Sequence, residues 1–170
     1  MSGESKTFLT ILQPVFFLVG IFLLNFTARI ILSPLLPTIE NELAISHGQA
    51  GFFFFLISVG YLFGLLGSGF FDSRATHKLT IVVSSAGVGI ALIAIAFATN
   101  LSTVRTGLMA LGFAAGLYIP SAIAAITSII KQEHWGKAIA VHELAPNLAF
   151  FASPFIGVRR VGADHRTQCS

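Results

Sequence analysis

The chain has 170 residues, 55% of them hydrophobic and only 10% charged, with a mean hydropathy of +0.85. Soluble domains carry about a quarter charged residues, so this composition belongs to a membrane protein. The formal net charge of +3 comes from cations scattered at the ends of apolar segments, a distribution that sets topology and excludes nucleic-acid binding.

A single cysteine, Cys169, makes no intramolecular disulfide framework, and the five histidines have no metal-ligand spacing. No cofactor or metal is expected. No nucleophile–base pair or phosphate loop supports an enzyme.

Residues 1–7 form a polar leader, with Lys6 just before the first apolar run. The run from Phe8 to Leu24 is too long for a signal-peptide core and is followed by no cleavage site. It reads as a membrane span over residues 8–32, long enough to cross ~30 Å of hydrocarbon with some tilt. Pro34 and Pro37 are expected to end that helix in an acidic loop carrying Glu40 and Glu42. A second span covers residues 49–71, and a basic turn of about seven residues follows, with Asp72, Arg74 and Lys78. The third span, residues 79–98, is rich in Ser, Gly and Ala and suited to close packing. After an uncharged turn, a fourth span covers residues 104–130, with Gly112, Gly116 and Pro120 on one stripe. Lys131 to Lys137 is a basic loop with Trp135 at interface level. A fifth span over residues 138–157 is interrupted by Pro146 and Pro154.

Basic and non-basic loops alternate. The positive-inside rule therefore places the N terminus and the two basic loops in the cytoplasm, in a plasma membrane of bacterial inner-membrane type. Residues 158–170 break the pattern, because Arg159, Arg160 and Arg166 fall where an outside segment is expected. That stretch is either an ordinary polar tail or non-native sequence produced by a frameshift or truncation.

Within the second span, Gly60, Gly64 and Ser68 lie four residues apart and form a small-residue stripe for a neighbouring helix. Ionisable groups inside spans cost roughly 2.5–3.5 kcal/mol each, so each one needs a reason. Arg29 has Asn25 one turn before it on the same face; it either faces a central cavity, where a guanidinium suits a carboxylate or phosphate, or snorkels outward. Arg105 sits near the outer end of the fourth span with the same alternative. His142, Glu143 and Asn147 form a polar cluster in the fifth span, with Glu143 and Asn147 on one face. They are candidates for proton or substrate coupling, against a purely structural role in interhelical bonds.

Three of these patterns together resemble the N-terminal half of the major facilitator superfamily of secondary transporters, over about residues 8–157. The turn after span two is similar to the family's cytoplasmic signature: Ser68 stands at its Gly position, Asp72 matches its Asp, and Arg74 and Lys78 supply basic residues, while Ser73, Ala75, Thr76 and His77 depart from it. Arg105 followed by LMALGFAAGLYIP resembles the family's span-four Arg with spaced glycines. The sequence ASPFIG resembles its Gly-Pro-x-x-Gly signature, with Ser153 in place of the first Gly and Pro154 and Gly157 matching. The resemblance implies an all-α integral membrane protein with five transmembrane helices, like an incomplete six-helix bundle of that fold. It also implies transport of a small anionic metabolite by alternating access, by proton coupling or exchange. In that picture Arg29, Asn25 and Asn147 contact substrate, and Glu143, Arg105 and His142 couple protons. Ser68, Asp72, Arg74, Lys78, Pro154 and Gly157 form a conformational gate. The expected partners are a small-molecule substrate, the lipid bilayer and protons. Two alternatives stay open: a truncated, transport-inactive fragment lacking its C-terminal half, and a small membrane protein that self-associates through its small-residue stripes.

Overall fold

A computed structural model describes residues 2–43, 45–74 and 76–151, and every regular element among them is helical. Helix α1 runs Ser2–Ile30, so it begins within the stretch expected as a leader. Helix α2 follows almost at once, Leu32–Leu43, in the segment expected as a loop. The interruption has a local cause. Pro34 has no N–H to offer the carbonyl of Ile30, so α1 stops there. In the first turn of α2, however, a missing N–H costs nothing, and the same proline is compatible with a new helix. Leu36 and Ile39 then give α2 an apolar side that packs on the core. Glu40 of α2 pairs with His47 at 2.8 Å across the link to the next helix.

Helix α3 spans His47–Arg74, α4 spans His77–Ala96 and α5 spans Leu101–Ile129. These three are long and apolar enough to cross a membrane. Asn100 caps α5, its side chain accepting the Thr103 N–H at 2.7 Å. A 3₁₀ turn, Gln132–His134, leads into α6, Trp135–His142. There the Trp135 indole N–H donates to the otherwise free Ile130 carbonyl at 2.8 Å. Glu143 makes a turn and residues 144–151 are helical again. Pro146 explains the break: it cannot donate to the His142 carbonyl four residues earlier, and its ring pushes that carbonyl aside.

Helix α5 is the centre of the bundle, with Leu108, Leu111, Tyr118, Ser121 and Ala122 fully enclosed. It lies parallel to α3 and antiparallel to α4. Between α3 and α5 the glycines interlock. A Cβ on Gly60 would run into the Met109 carbonyl oxygen, and one on Gly64 into that of Phe113. From the other side, Gly112 meets the Ile57 carbonyl and Gly116 that of Tyr61. The two backbones are therefore in contact along two turns, closer than any side chain would permit. Across the other face of α5, Ser84 of α4 donates to the Ala114 carbonyl at 2.7 Å. The outer surfaces of α3 and α4 carry Phe54, Phe55, Leu62, Phe63, Leu66, Val82 and Ile90, all exposed. Such a contiguous apolar exterior is stable in hydrocarbon and not in water.

The core divides into two layers along the bundle. One gathers Phe22, Tyr118, Ala122 and Ile126 with Ala138 and Ala145. The other gathers Ala28, Phe53, Ile57, Leu108 and Leu111.

Candidate functional site

Polar side chains interrupt both layers. In the second, Asn25 is only 4% exposed and its amide nitrogen has no hydrogen-bond partner among the described residues. One turn further along α1, the Arg29 guanidinium lies 4.7 Å from the ring centroid of Tyr61 and 5.0 Å from that of Phe26. Its Nε is also buried without a partner, and no described carboxylate pairs with it. Tyr61 sits near the middle of α3, so this cation is held at mid-depth of the bundle and does not reach out from its rim. Two aromatic faces favour the charge, yet two donors on the same helix face remain unsatisfied in a place where water-free burial is costly.

Arg105 is different. Its guanidinium lies 5.9 Å from the Phe52 ring, near the start of α3 and one turn into α5. It is thus at the rim of the bundle, although its Nε is buried and unbonded.

The other layer holds a continuous polar chain. The Tyr118 hydroxyl donates to the Leu18 carbonyl at 2.7 Å and lies 3.3 Å from His142 Nε2. His142 Nδ1 is 3.2 Å from Glu143 Oε1. The imidazole is fully buried and stacks on Phe22 with ring centroids 4.5 Å apart and planes 6° from parallel. The Glu143 side chain is about half exposed (48%). Pro146 is what puts this pair at a helix break. Asn147 donates from its side chain to the Glu143 carbonyl at 3.1 Å and faces away from the bundle.

At the end of α3, Ser121 of α5 donates to Asp72 Oδ1 at 2.8 Å, and His77 Nδ1 lies 3.3 Å from Asp72 Oδ2. Arg74 instead covers the Phe70 ring at 4.5 Å, and Lys78 is exposed. Ser68 is buried and donates to the Leu65 carbonyl of its own helix at 2.7 Å.

The structure therefore brings together Arg29 with Asn25, and His142 with Glu143. It does not bring Arg105 to the His142–Glu143 pair, nor Asn147 to Arg29. Asp72 finds Ser121 and His77 as its neighbours, and neither Arg74 nor Lys78, named with it as gate residues, pairs with it. Pro154 and Gly157 lie outside the described residues. Tyr61, Tyr118 and Ser121 escaped the sequence reading. Tyr118 was detectable in principle, as one of only two tyrosines in the chain and placed mid-span among small residues.

A family profile described as Major Facilitator Superfamily matches residues 18–158. The chain belongs to that superfamily. The match takes in α2 to α6 and the part of α1 that carries Asn25 and Arg29, so both polar clusters lie within it. Searches of curated proteins and of solved structures returned no match. This major facilitator is accordingly an integral membrane protein of the transport class, and its family acts on small molecules at the bilayer.

Proposed function

We propose that this major facilitator takes part in moving a small anionic metabolite across the plasma membrane by alternating access, with Arg29 and Asn25 as its substrate contacts. The observation that carries this reading is a guanidinium at mid-depth with an unbonded Nε and no described carboxylate on it, beside a buried amide nitrogen that also has no partner among the described residues. A carboxylate or phosphate would satisfy both donors at once, and a guanidinium is shaped to take either. Sites of this kind lie near the bilayer midplane in secondary transporters, where opening to either side requires no travel of the site itself. His142 and Glu143, at the break in the fifth span, carry the coupling proton. Asp72, bonded to Ser121, closes the end of α3 against α5, and Ser68, Arg74, Lys78, Pro154 and Gly157 complete the gate.

Binding can be tested on the 170-residue chain in lipid nanodiscs. Thermal unfolding would be followed with succinate, lactate or inorganic phosphate, and with erythritol as the neutral control. A ligand at about 100 times its Kd stabilises by about 2.7 kcal/mol. The expected result is a raised Tm with at least one anion, lost in Arg29→Ala and weakened in Asn25→Ala. Equal stabilisation of the wild type and Arg29→Ala by every anion would remove Arg29 from the site.

A further inference from the structure

The polar chain in the first core layer has a proton count that its neutral residues cannot meet. A tyrosine hydroxyl has one proton to give, and here the shorter contact, 2.7 Å, is the one to the Leu18 carbonyl. The Tyr118 oxygen can then only accept from His142, at 3.3 Å, so Nε2 must carry a hydrogen. The other ring nitrogen, Nδ1, faces a carboxyl oxygen at 3.2 Å. A neutral imidazole protonated on Nε2 would turn a bare lone pair toward a carboxylate, which is repulsive. Both contacts are satisfied only when the His142–Glu143 pair holds one proton more than neutral imidazole plus carboxylate. That proton sits either on the ring, as imidazolium, or on Glu143, as the acid.

Loss of the proton has a defined structural result. With Glu143 ionised and His142 neutral, the remaining ring hydrogen belongs on Nδ1, where the carboxylate accepts it. Nε2 then becomes an acceptor, and the only donor within reach among the described residues is the Tyr118 hydroxyl. The hydroxyl must turn from Leu18 to His142. The Leu18 carbonyl is left with its own helix bond from the Phe22 N–H and is not orphaned. One proton thereby decides whether α5 is bonded to both α1 and the fifth span or to the fifth span alone. Glu143 is the half-exposed member of the pair and gives the proton its path in and out.

Among the described residues no other charged side chain bonds this pair, and Asp72, which meets α5 one turn along from Tyr118, is taken by Ser121 and His77. Around the imidazole, α1 contributes Phe22 and the Leu18 carbonyl, α5 contributes Tyr118, and Glu143 follows on from α6. Of the other charged residues on these elements, Arg29 is seven residues past Phe22, or ~10 Å along the axis, and Arg105 is thirteen residues before Tyr118, or ~20 Å. Lys137 is exposed five residues before His142. Glu4 and Lys6 precede Leu18 by at least twelve residues. In the 3₁₀ turn, Glu133 and His134 face each other at 3.6 Å.

We infer that Leu18, Tyr118, His142 and Glu143 form a proton-operated switch, with Tyr118 as the positioning residue whose hydroxyl donates to the Leu18 carbonyl, while accepting from His142, when the pair is protonated, and donates to His142 instead when it is not. This deepens the coupling role proposed above for His142 and Glu143. The experiment uses the full chain in nanodiscs and no transport. In a Tyr61→Phe background Tyr118 is the sole tyrosine, so ring-labelled tyrosine gives one infrared C–O stretch, which separates a donating from an accepting phenol. Imidazole ¹⁵N spectra of the same sample, with the His142 signals assigned as those missing from a His142→Gln sample, report its tautomer. From about pH 5 to about pH 8, the range in which imidazoles titrate, the Tyr118 band should shift with the same midpoint at which His142 moves to the Nδ1-protonated form. Glu143→Gln should abolish the shift, and Tyr118→Phe should hold His142 in the Nδ1-protonated form throughout. Both substitutions keep shape, and circular dichroism checks that helix content is retained. A Tyr118 band that stays fixed while His142 titrates, or a His142 that keeps one tautomer over the whole range, overturns the switch. A working switch alongside uptake that carries no proton would keep the switch and remove the coupling role; proton-carrying uptake with a silent Tyr118 would do the reverse.

Discussion

Arg29 and Arg105 are both guanidiniums laid against aromatic rings, and what separates them is depth. Arg29 shares its position with Tyr61 at the middle of α3, whereas Arg105 meets Phe52 near the start of that helix. Near the rim a long side chain reaches water at little cost, so Arg105→Lys should leave ligand-dependent Tm shifts unchanged. At mid-depth a lysine keeps the charge but loses the planar fork and much of the stacking on two rings. A charge-assisted hydrogen bond is worth about 1.5–3 kcal/mol, so Arg29→Lys should weaken anion binding about tenfold or more, read from the anion concentration needed for half the Tm shift. The Asp72–Ser121 bond offers a second contrast at this scale. Ser121→Ala leaves a half-buried carboxylate without its 2.8 Å donor and should lower unfolding stability in an SDS titration by about 1–3 kcal/mol. Lys78→Ala, on an exposed side chain, should change it by less than about 0.5 kcal/mol.

Between elements, the decisive contact is backbone against backbone. Gly60, Gly64, Gly112 and Gly116 each face a carbonyl of the opposite helix, which cannot rotate away as a side chain can. Gly112→Ala should therefore push α3 from α5 and cost about 1–3 kcal/mol, measured by the same SDS titration. Gly69→Ala, where a Cβ meets open space, should be neutral or stabilise by up to about 1 kcal/mol through helix propensity. The stripe itself was legible in the sequence, because four-residue spacing maps directly onto one helix face. Its partner was legible too, in Gly112 and Gly116, although nothing in the spacing says that these two stripes meet. Helix α2 was hidden because a proline reads as a stop when the helix before it is in view and as a start when the helix after it is. The His142–Glu143 pair was visible as residues, whereas Tyr118 and the Leu18 carbonyl lie 24 residues and more away in the chain. Only packing of α1, α5 and α6 brings them within bonding distance. The partner of Asp72 was hidden for a related reason: α5 arrives close enough for Ser121 to take the carboxylate, and Arg74 lies over the neighbouring Phe70 ring.

Across the whole molecule, charge is segregated along the bundle axis. Because α3 and α5 run in the same direction and α4 runs back, Arg74, Lys78, Lys131 and Lys137 all gather at one end, and Glu40, His47 and Asn100 at the other. Cations near span ends are retained in the cytoplasm during insertion, while carboxylates contribute little. The end bearing four cations should therefore be cytoplasmic, and the end bearing the Asn100 cap should face outward. With Cys169 replaced by Ser, single cysteines can be placed at exposed positions at either end. Ser46→Cys and Asn100→Cys should react with a membrane-impermeant maleimide on intact cells. Lys131→Cys and Gly136→Cys should react only after permeabilisation. The reverse pattern would invert the molecule in the bilayer. It would also exchange the sides on which the Asp72 gate and the Arg105 rim operate, so the direction from which a proton reaches Glu143 depends on this one measurement.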